Sequence, residues 1–266
     1  MELIVCVKQI PDPEAPPASF KVDPTANKVI PPPGVPPVIS PFDENAVEAA
    51  LRVKDARGGK ITVLSLGNNL VRDVVKKPLA MGADQLVLLE DASYAEGDSW
   101  STAYALAMAI KKIGTYDIIF CGRVAGDWDA GQVGSGIAEF LGIPSITVAK
   151  KVEVVDGKVR VERLVADGYE VVEAPMPCLV TVTSELGEPR YAPLKGIMAA
   201  AKKQPIIWKP QDIGVDPSKV GAPGRLTKLS KLFQPVKEAK CEIIGGDSPA
   251  EAAVNLALRL RQAKVI

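Results

Sequence analysis

Apolar residues along this chain follow two periods in alternation. Residues 3–7, 61–66, 86–89 and 117–121 are short apolar runs rich in branched side chains, the pattern of strands buried on both faces. Between them, apolar positions return every three or four residues. Ala46, Val47, Ala50, Leu51 and Val53 predict a helix that Asp43 opens and Gly58-Gly59 ends. Residues 68–81 read as a second helix, kinked or ended by Pro78 and closed by Gly82. Ala103, Leu106, Ala107 and Ile110 place a third over 99–113. Strands alternating with helices predict an α/β fold, a Rossmann-like, mostly parallel sheet with helices on both faces.

Two regions break this rhythm. Eleven prolines from Pro11 to Pro41 exclude regular helix and a central strand, leaving room for edge strands at 20–23 and 28–30. Residues 151–155 and 158–163 alternate polar and apolar around Asp156-Gly157, which predicts an added β-hairpin with a type I′ turn. One more strand is expected over 178–183. After Ser184, Pro189, Pro193, Pro205, Pro210, Pro217, Pro223 and Pro235 interrupt a sequence too apolar for a disordered tail. This predicts an extended C-terminal arm needing another surface. It ends in a helix announced by the capping box Ser248-Pro249-Ala250-Glu251, with Ala252, Ala253, Leu256, Leu258 and Leu260 on its apolar side.

Composition narrows the function. Of 266 residues, 47% are hydrophobic, enough for a full core, and Lys+Arg equals Asp+Glu at 32 each. A nucleic-acid surface needs a basic excess, so nucleic acid is not an expected partner. No apolar run approaches the roughly 18 residues of a membrane helix, so no direct membrane insertion is expected. The start Met1-Glu2-Leu3-Ile4-Val5-Cys6 enters a strand at once and does not read as a signal peptide, so a soluble cytoplasmic protein is expected, or the same protein in an organelle matrix after processing. Cys6, Cys121, Cys178 and Cys241 form no CxxC pair and read as reduced thiols. Histidine is absent, which removes Ser-His-Asp and Cys-His catalysis and His-ligated metals; no metal site is expected. Chemistry is left to carboxylates, Lys, Tyr or a bound cofactor.

The most informative stretch follows the strand at 117–121: Gly122, Arg123, Val124, Ala125, Gly126, Asp127, Trp128, Asp129, Ala130, Gly131, Gln132, Val133, Gly134. It reads as a Gly-rich turn into a helix over 131–141 that Gly142 stops. A helix start offers unpaired N–H groups and the positive end of a dipole, and glycines admit a phosphate close to that backbone. The spacing is neither GxGxxG nor a Walker A loop, and an ordinary strand–helix turn would look the same. Asp127 and Asp129 suit helix capping or ribose hydroxyls, leaving backbone N–H groups and Arg123 for phosphate. A ligand in such a sheet lies at the C-terminal strand ends. Cys6-Val7-Lys8, Leu66 and the segment Ser40, Pro41, Phe42, Asp43 should converge there. N-capping explains the last segment equally well, apart from Phe42. Ser99 and Thr102 read as capping or solvent-facing hydroxyls, or as hydrogen-bond partners of a larger ligand. In the stretch after Glu188, Arg190, Tyr191, Leu194, Ile197 and Met198 mix charge with apolar anchors, as a packed surface loop or a docking loop does.

The chain resembles the β subunit of electron transfer flavoproteins over nearly its whole length. The resemblance rests on Cys6-Val7-Lys8-Gln9, Ser40-Pro41-Phe42-Asp43 running into Glu44-Asn45-Ala46-Val47-Glu48, Leu79-Ala80-Met81-Gly82-Ala83-Asp84, the Gly122 loop, Val161-Glu162-Arg163, and Glu188-Pro189-Arg190-Tyr191 through Gly196-Ile197-Met198. It implies a heterodimer with an α subunit and a redox FAD held mainly by α and touched by β at Phe42. It implies AMP, or in electron-bifurcating members a second FAD, in a β pocket of Cys6, Ser40 to Asp43, Leu66 and Gly122 to Val133. Ser99 and Thr102 match hydroxyls beside that second flavin. The Leu194 loop would dock an acyl-CoA dehydrogenase, with a quinone reductase as acceptor. An aromatic that faces the flavin in some members is Pro13 here, and Ala199-Ala200-Ala201-Lys202-Lys203 is less basic than in some relatives. On this reading residues 1–186 form an adenine-nucleotide-binding domain and 187–266 the docking loop and α-contacting arm. The chain would be an electron-carrier subunit, not an enzyme by itself. Rivals from other classes are a stand-alone nucleotide-binding enzyme of α/β fold and a structural interaction protein with an empty pocket.

Overall fold

The computed structural model describes residues 1–235 and 241–266. Its strands are β1 (Glu2–Val7), β2 (Gln9–Ile10), β3 (Lys21–Asp23), β4 (Lys28–Ile30), β5 (Val38–Ile39), β6 (Lys60–Gly67), β7 (Gln85–Glu90), β8 (Ile118–Gly122), β9 (Ser145–Val155), β10 (Lys158–Val165), β11 (Gly168–Pro175), β12 (Cys178–Val182) and β13 (Ile206–Trp208). The helices are α1 (Pro41–Arg57), α2 (Arg72–Val75), α3 (Lys77–Met81), α4 (Ser99–Ile113), α5 (Val133–Leu141), α6 (Leu194–Lys202), α7 (Gly221–Gly224) and α8 (Pro249–Gln262).

Nine strands form one sheet in the order β11-β10-β9-β12-β8-β1-β6-β7-β13. It is parallel from β9 to β13 and antiparallel only in the β9–β10–β11 meander. Alternate residues of each strand serve the two faces. Leu3, Val5 and Val7 pack with α1 and α3 on one side, while Ile4 and Cys6 pack with α4 and α5 on the other. The chain leaves β1 toward β6 and β7 on one side and later fills β8, β12 and β9 on the other. Strand order therefore reverses between β1 and β8, and the crevice outside their carboxyl ends is where such sheets place ligands.

Local chemistry explains the boundaries. Pro41 and the acidic Asp43 and Glu44 begin α1, so the helix opens before Asp43, with Ser40 at its N-cap. The expected helix over 68–81 is two short ones. Pro78 has no N–H and its ring crowds the carbonyl four residues earlier, so the turn breaks at Lys76. The expected helix start at Gly131 is corrected to Val133, because Gly131 has φ +66° and sits outside helical space. Asp156 and Gly157 both have positive φ, as a type I′ turn requires.

Several elements were not anticipated, the short β2, β5 and α7 among them. β11 extends the hairpin to a meander, α6 occupies what read as a loop, and β13 pairs in parallel with β7 at the sheet edge. The arm thus begins inside the sheet. It ends in α8, where Ser248 Oγ accepts the Glu251 N–H as an N-cap; the expected capping box is corrected, since Glu251 accepts the Asp247 N–H and not that of Ser248, and no residue of the helix is buried. Part of the arm, residues 236–240, lies outside the described residues. No helix among the described residues is long and apolar enough to cross a membrane.

Candidate functional site

A cavity of ≈ 830 Å³ opens at the switch point. Its floor is the C-terminal ends of β1, β6 and β8, where Cys6, Leu66 and Cys121 face it. The Cys6 thiol beside it and burial together hold the Cys121 thiol well above the usual thiol range, so the floor is uncharged there. The Gly-rich loop and the first turn of α5 form one wall. Gly122, Arg123, Val124, Ala125, Trp128, Ala130, Gly131, Gln132, Val133 and Gly134 all line the cavity. Ser99 and Thr102, from the first turn of α4, form the facing wall with Leu106.

The α5 start suits an anion. Gln132 is its N-cap, no side chain caps it, and no acidic residue lies in its first turn. Its leading N–H groups are left for another acceptor. Gly134 lets α5 lie close on the sheet: a Cβ there would stand 2.6 Å from Thr181 Cγ2.

The segment from Ser40 to Asp43 holds this wall from behind. Asp43 accepts hydrogen bonds from Lys8 N at 2.8 Å and Gly122 N at 3.0 Å, joining the ends of β1 and β8. Ser40 Oγ accepts from Gly126 N at 3.3 Å, and Arg123 stacks on Phe42 with 4.9 Å to the ring centroid. Asp43 lines the cavity, whereas Ser40, Pro41, Phe42, Gly126, Asp127 and Asp129 do not. The capping role expected of the two loop aspartates is corrected as well. Asp127 pairs with Lys8 Nζ at 2.8 Å, and Asp129 takes a left-handed turn conformation, φ +51°.

Burial pushes the Asp43 carboxyl from its ordinary 3.8 up to about 7, against the Lys8 and Gly122 N–H groups that favour its charge. The folded chain then keeps a proton that the unfolded chain has released, so stability falls as pH rises from about 4 to about 7. Thermal unfolding followed from about pH 5 to pH 8 should show this decline in the wild type and a flatter profile in Asp43→Asn.

Sequence reasoning missed a further set of lining groups: Ala26, Asn27 and Lys28 at the β3–β4 tip, Glu96, Gly97 and Asp98 before α4, and Arg225, Thr227, Lys228 and Leu229 of the arm. The Asp98-x-x-Ser101 spacing was a legible sign, since the two form a reciprocal capping box. Nothing local marks the arm residues.

The expected docking residues fall on the opposite side of the sheet from α4 and α5. Tyr191 and Leu194 are 93% and 74% exposed, and Ile197 and Met198 are also exposed. Arg190 is instead tied back to α1, with its Nε 2.8 Å from Glu48 and its Nη2 2.8 Å from Asp55.

Fold and cavity together define a doubly wound α/β domain with a ligand-sized crevice at its switch point. Residues 29–213 match the family model described as the Electron transfer flavoprotein domain. The chain belongs to the electron transfer flavoprotein family. It is 42% identical, over the full length of both chains, to an electron transfer flavoprotein subunit beta of Thermoanaerobacterium thermosaccharolyticum. It is 38% identical, again over both full lengths, to the caffeyl-CoA reductase-Etf complex subunit CarD of Acetobacterium woodii. It is 39% identical to the protein FixA of Azorhizobium caulinodans, over 90% of this chain and 86% of that one.

Proposed function

We propose that this chain is the β subunit of a heterodimeric electron transfer flavoprotein that holds an adenine nucleotide in the switch-point cavity. The observation that carries the reading is the uncapped α5 N-terminus facing an ≈ 830 Å³ cavity with an apolar floor. The leading N–H groups of α5 and Arg123 would take phosphate, and Cys6, Leu66 and Val124 would lie against a flat ring. Gly122 and Gly134 keep the backbone close enough for both. When bound, flavin supplies the one- and two-electron chemistry. The chain's own residues bind, orient and exclude water. The redox FAD would be shared with an α subunit, with Phe42 as the β contribution. The unburied apolar positions of α8, Val254, Leu256 and Leu258, would lie against that subunit.

A second reading, the electron-bifurcating form with FAD in place of AMP, is favoured by two observations. The cavity lies in the upper part of the roughly 300–1,000 Å³ range of small-ligand sites, larger than a mononucleotide needs. Ser99 and Thr102 both face it.

Residues 187–266 would carry the contacts to partners. Tyr191, Leu194, Ile197 and Met198 would dock a flavin dehydrogenase, such as an acyl-CoA dehydrogenase, and a quinone reductase or another acceptor would take the electrons onward. Co-expression with the α subunit tests the assignment: a yellow heterodimer reduced by a dehydrogenase supports it, and a colourless one contradicts it. In that heterodimer Leu194→Glu should slow reduction by the dehydrogenase about tenfold or more, as losing an interface anchor does. The unfolding temperature should stay unchanged, because Leu194 is solvent-exposed.

A further inference from the structure

Three chain segments far apart in sequence meet over the cavity: the β3–β4 tip, the loop before α4, and residues 225–232 of the arm. The arm segment is irregular and largely exposed; Arg225 at its start pairs with Glu96 at 3.6 Å, and polar clips hold it near both ends. At one end, Asp98 Oδ2 accepts hydrogen bonds from Leu226 N at 2.8 Å, Thr227 N at 2.9 Å and Thr227 Oγ1 at 3.1 Å. The other oxygen of Asp98 caps α4 by accepting from Ser101 N at 3.0 Å. One carboxylate therefore fixes both a cavity wall and the segment crossing it. At the other end, Asn27 Oδ1 accepts from Leu232 N at 2.9 Å. Between the clips, Thr227, Lys228 and Leu229 face the cavity.

We propose that residues 225–232 are a strap across the nucleotide cavity, clipped by Asp98 and Asn27, and that a bound adenine nucleotide exchanges only when the strap opens. This rests on the nucleotide reading above. Asp98 is a positioning residue: although it lies at the cavity wall, its two oxygens are taken up by donors from α4 and the strap. Burial alone would raise its carboxyl, but donors from Ser101, Thr227 and Leu226 outweigh it and hold it at about 2, so the clip stays charged at neutral pH. The strap also carries Lys228, which makes no hydrogen bond or ion pair among the described residues and faces the cavity. A closed strap would place that ammonium beside an anionic ligand.

Asp98→Asn separates the two duties of the residue. Asparagine still caps a helix, but its amide nitrogen cannot accept from Leu226 and Thr227. Release of radiolabelled AMP, and in parallel of FAD, is followed from the heterodimer under an excess of unlabelled nucleotide. Trypsin cleavage at Arg225, Lys228 and Lys231 reports strap opening without reference to any ligand. Losing donors on one charged oxygen should speed release about tenfold in Asp98→Asn, and losing the Asn27 bonds to Leu232 N and Ser230 O about threefold in Asn27→Ala. Cleavage should quicken in both, with the unfolding temperature nearly unchanged. Release as slow as in the wild type overturns the proposal, whatever cleavage does. Faster release without faster cleavage also overturns it, since the effect then comes from α4 and not the strap. A wild-type heterodimer carrying no adenine nucleotide beyond the shared redox flavin overturns the underlying nucleotide reading, and the gate with it.

Discussion

Gly134→Val is expected to empty the cavity and to destabilise the chain by about 2–3 kcal/mol, the range of an overpacked core. Gly134 lies where α5 crosses the sheet, with the Cβ position 2.6 Å from Thr181 Cγ2, 3.4 Å from Leu179 Cδ2 and 3.6 Å from Cys121 Cβ. Leu179 and Thr181 are buried in β12, in the middle of the sheet, and have no space to yield. The helix must move instead, carrying its N–H groups away from the cavity. Nucleotide affinity should fall by at least about a hundredfold, since displacing a set of charge-directed donors forfeits several strong hydrogen bonds at once. Ser135→Ala, one residue on and solvent-facing, should leave both quantities unchanged. Equilibrium unfolding and nucleotide titration on the two variants check this together.

Glu48→Ala is expected to cost about 2–3 kcal/mol at pH 7 and to loosen the segment that presents Tyr191 and α6. Glu48 is 4% exposed on α1. Its Oε2 accepts from Arg190 N at 3.1 Å and Nε at 2.8 Å, and its Oε1 accepts from Arg52 Nε at 2.9 Å and Arg190 Nη2 at 3.2 Å. Asn45 and Arg52 reinforce the same junction by donating to the Gly187 and Leu186 carbonyls. Removing the carboxylate leaves two guanidinium groups without their central partner, the expensive way to break such a pair. The Arg190 side chain is about one-third exposed, which keeps the cost below that of a fully buried pair. Burial raises the Glu48 carboxyl, but its arginine partners outweigh that and hold it below its ordinary 4.5. A depressed carboxylate stabilises the fold above its unfolded value and loses that contribution as pH falls through the folded one. The stability gap between wild type and Glu48→Ala should therefore narrow as pH falls below the ordinary 4.5, as denaturant melts across pH would record.

The parts of the fold that sequence made legible are those set by neighbours along the chain. The βαβ alternation, the Asp156-Gly157 turn and the Ser248 N-cap each depend on a few adjacent residues, and each is present. What escaped depends on distant partners. β13 has three residues between Pro205 and Pro210 and exists through its pairing with β7. β11 alternates weakly because its outer edge is open and most of its residues are exposed. The site divides in the same way. The Gly-rich loop, Cys6, Leu66, Ser99 and Thr102 were foreseen because they end strands or begin helices, and the sheet brings those points together. The capping role of Asp127 failed because its partner, Lys8, lies on another strand's exit. The strap was invisible because Thr227 meets Asp98 across a sequence separation of 129 residues.

Acid extraction of the purified heterodimer, with AMP and FAD counted separately per β chain, tests the central claim most directly. The account predicts one adenine nucleotide per β chain beyond the shared redox flavin: one FAD with one AMP, or two FAD in the bifurcating form. Gly134→Val should lose that nucleotide while the shared flavin remains. One FAD with no second adenine nucleotide in the wild type would contradict the account.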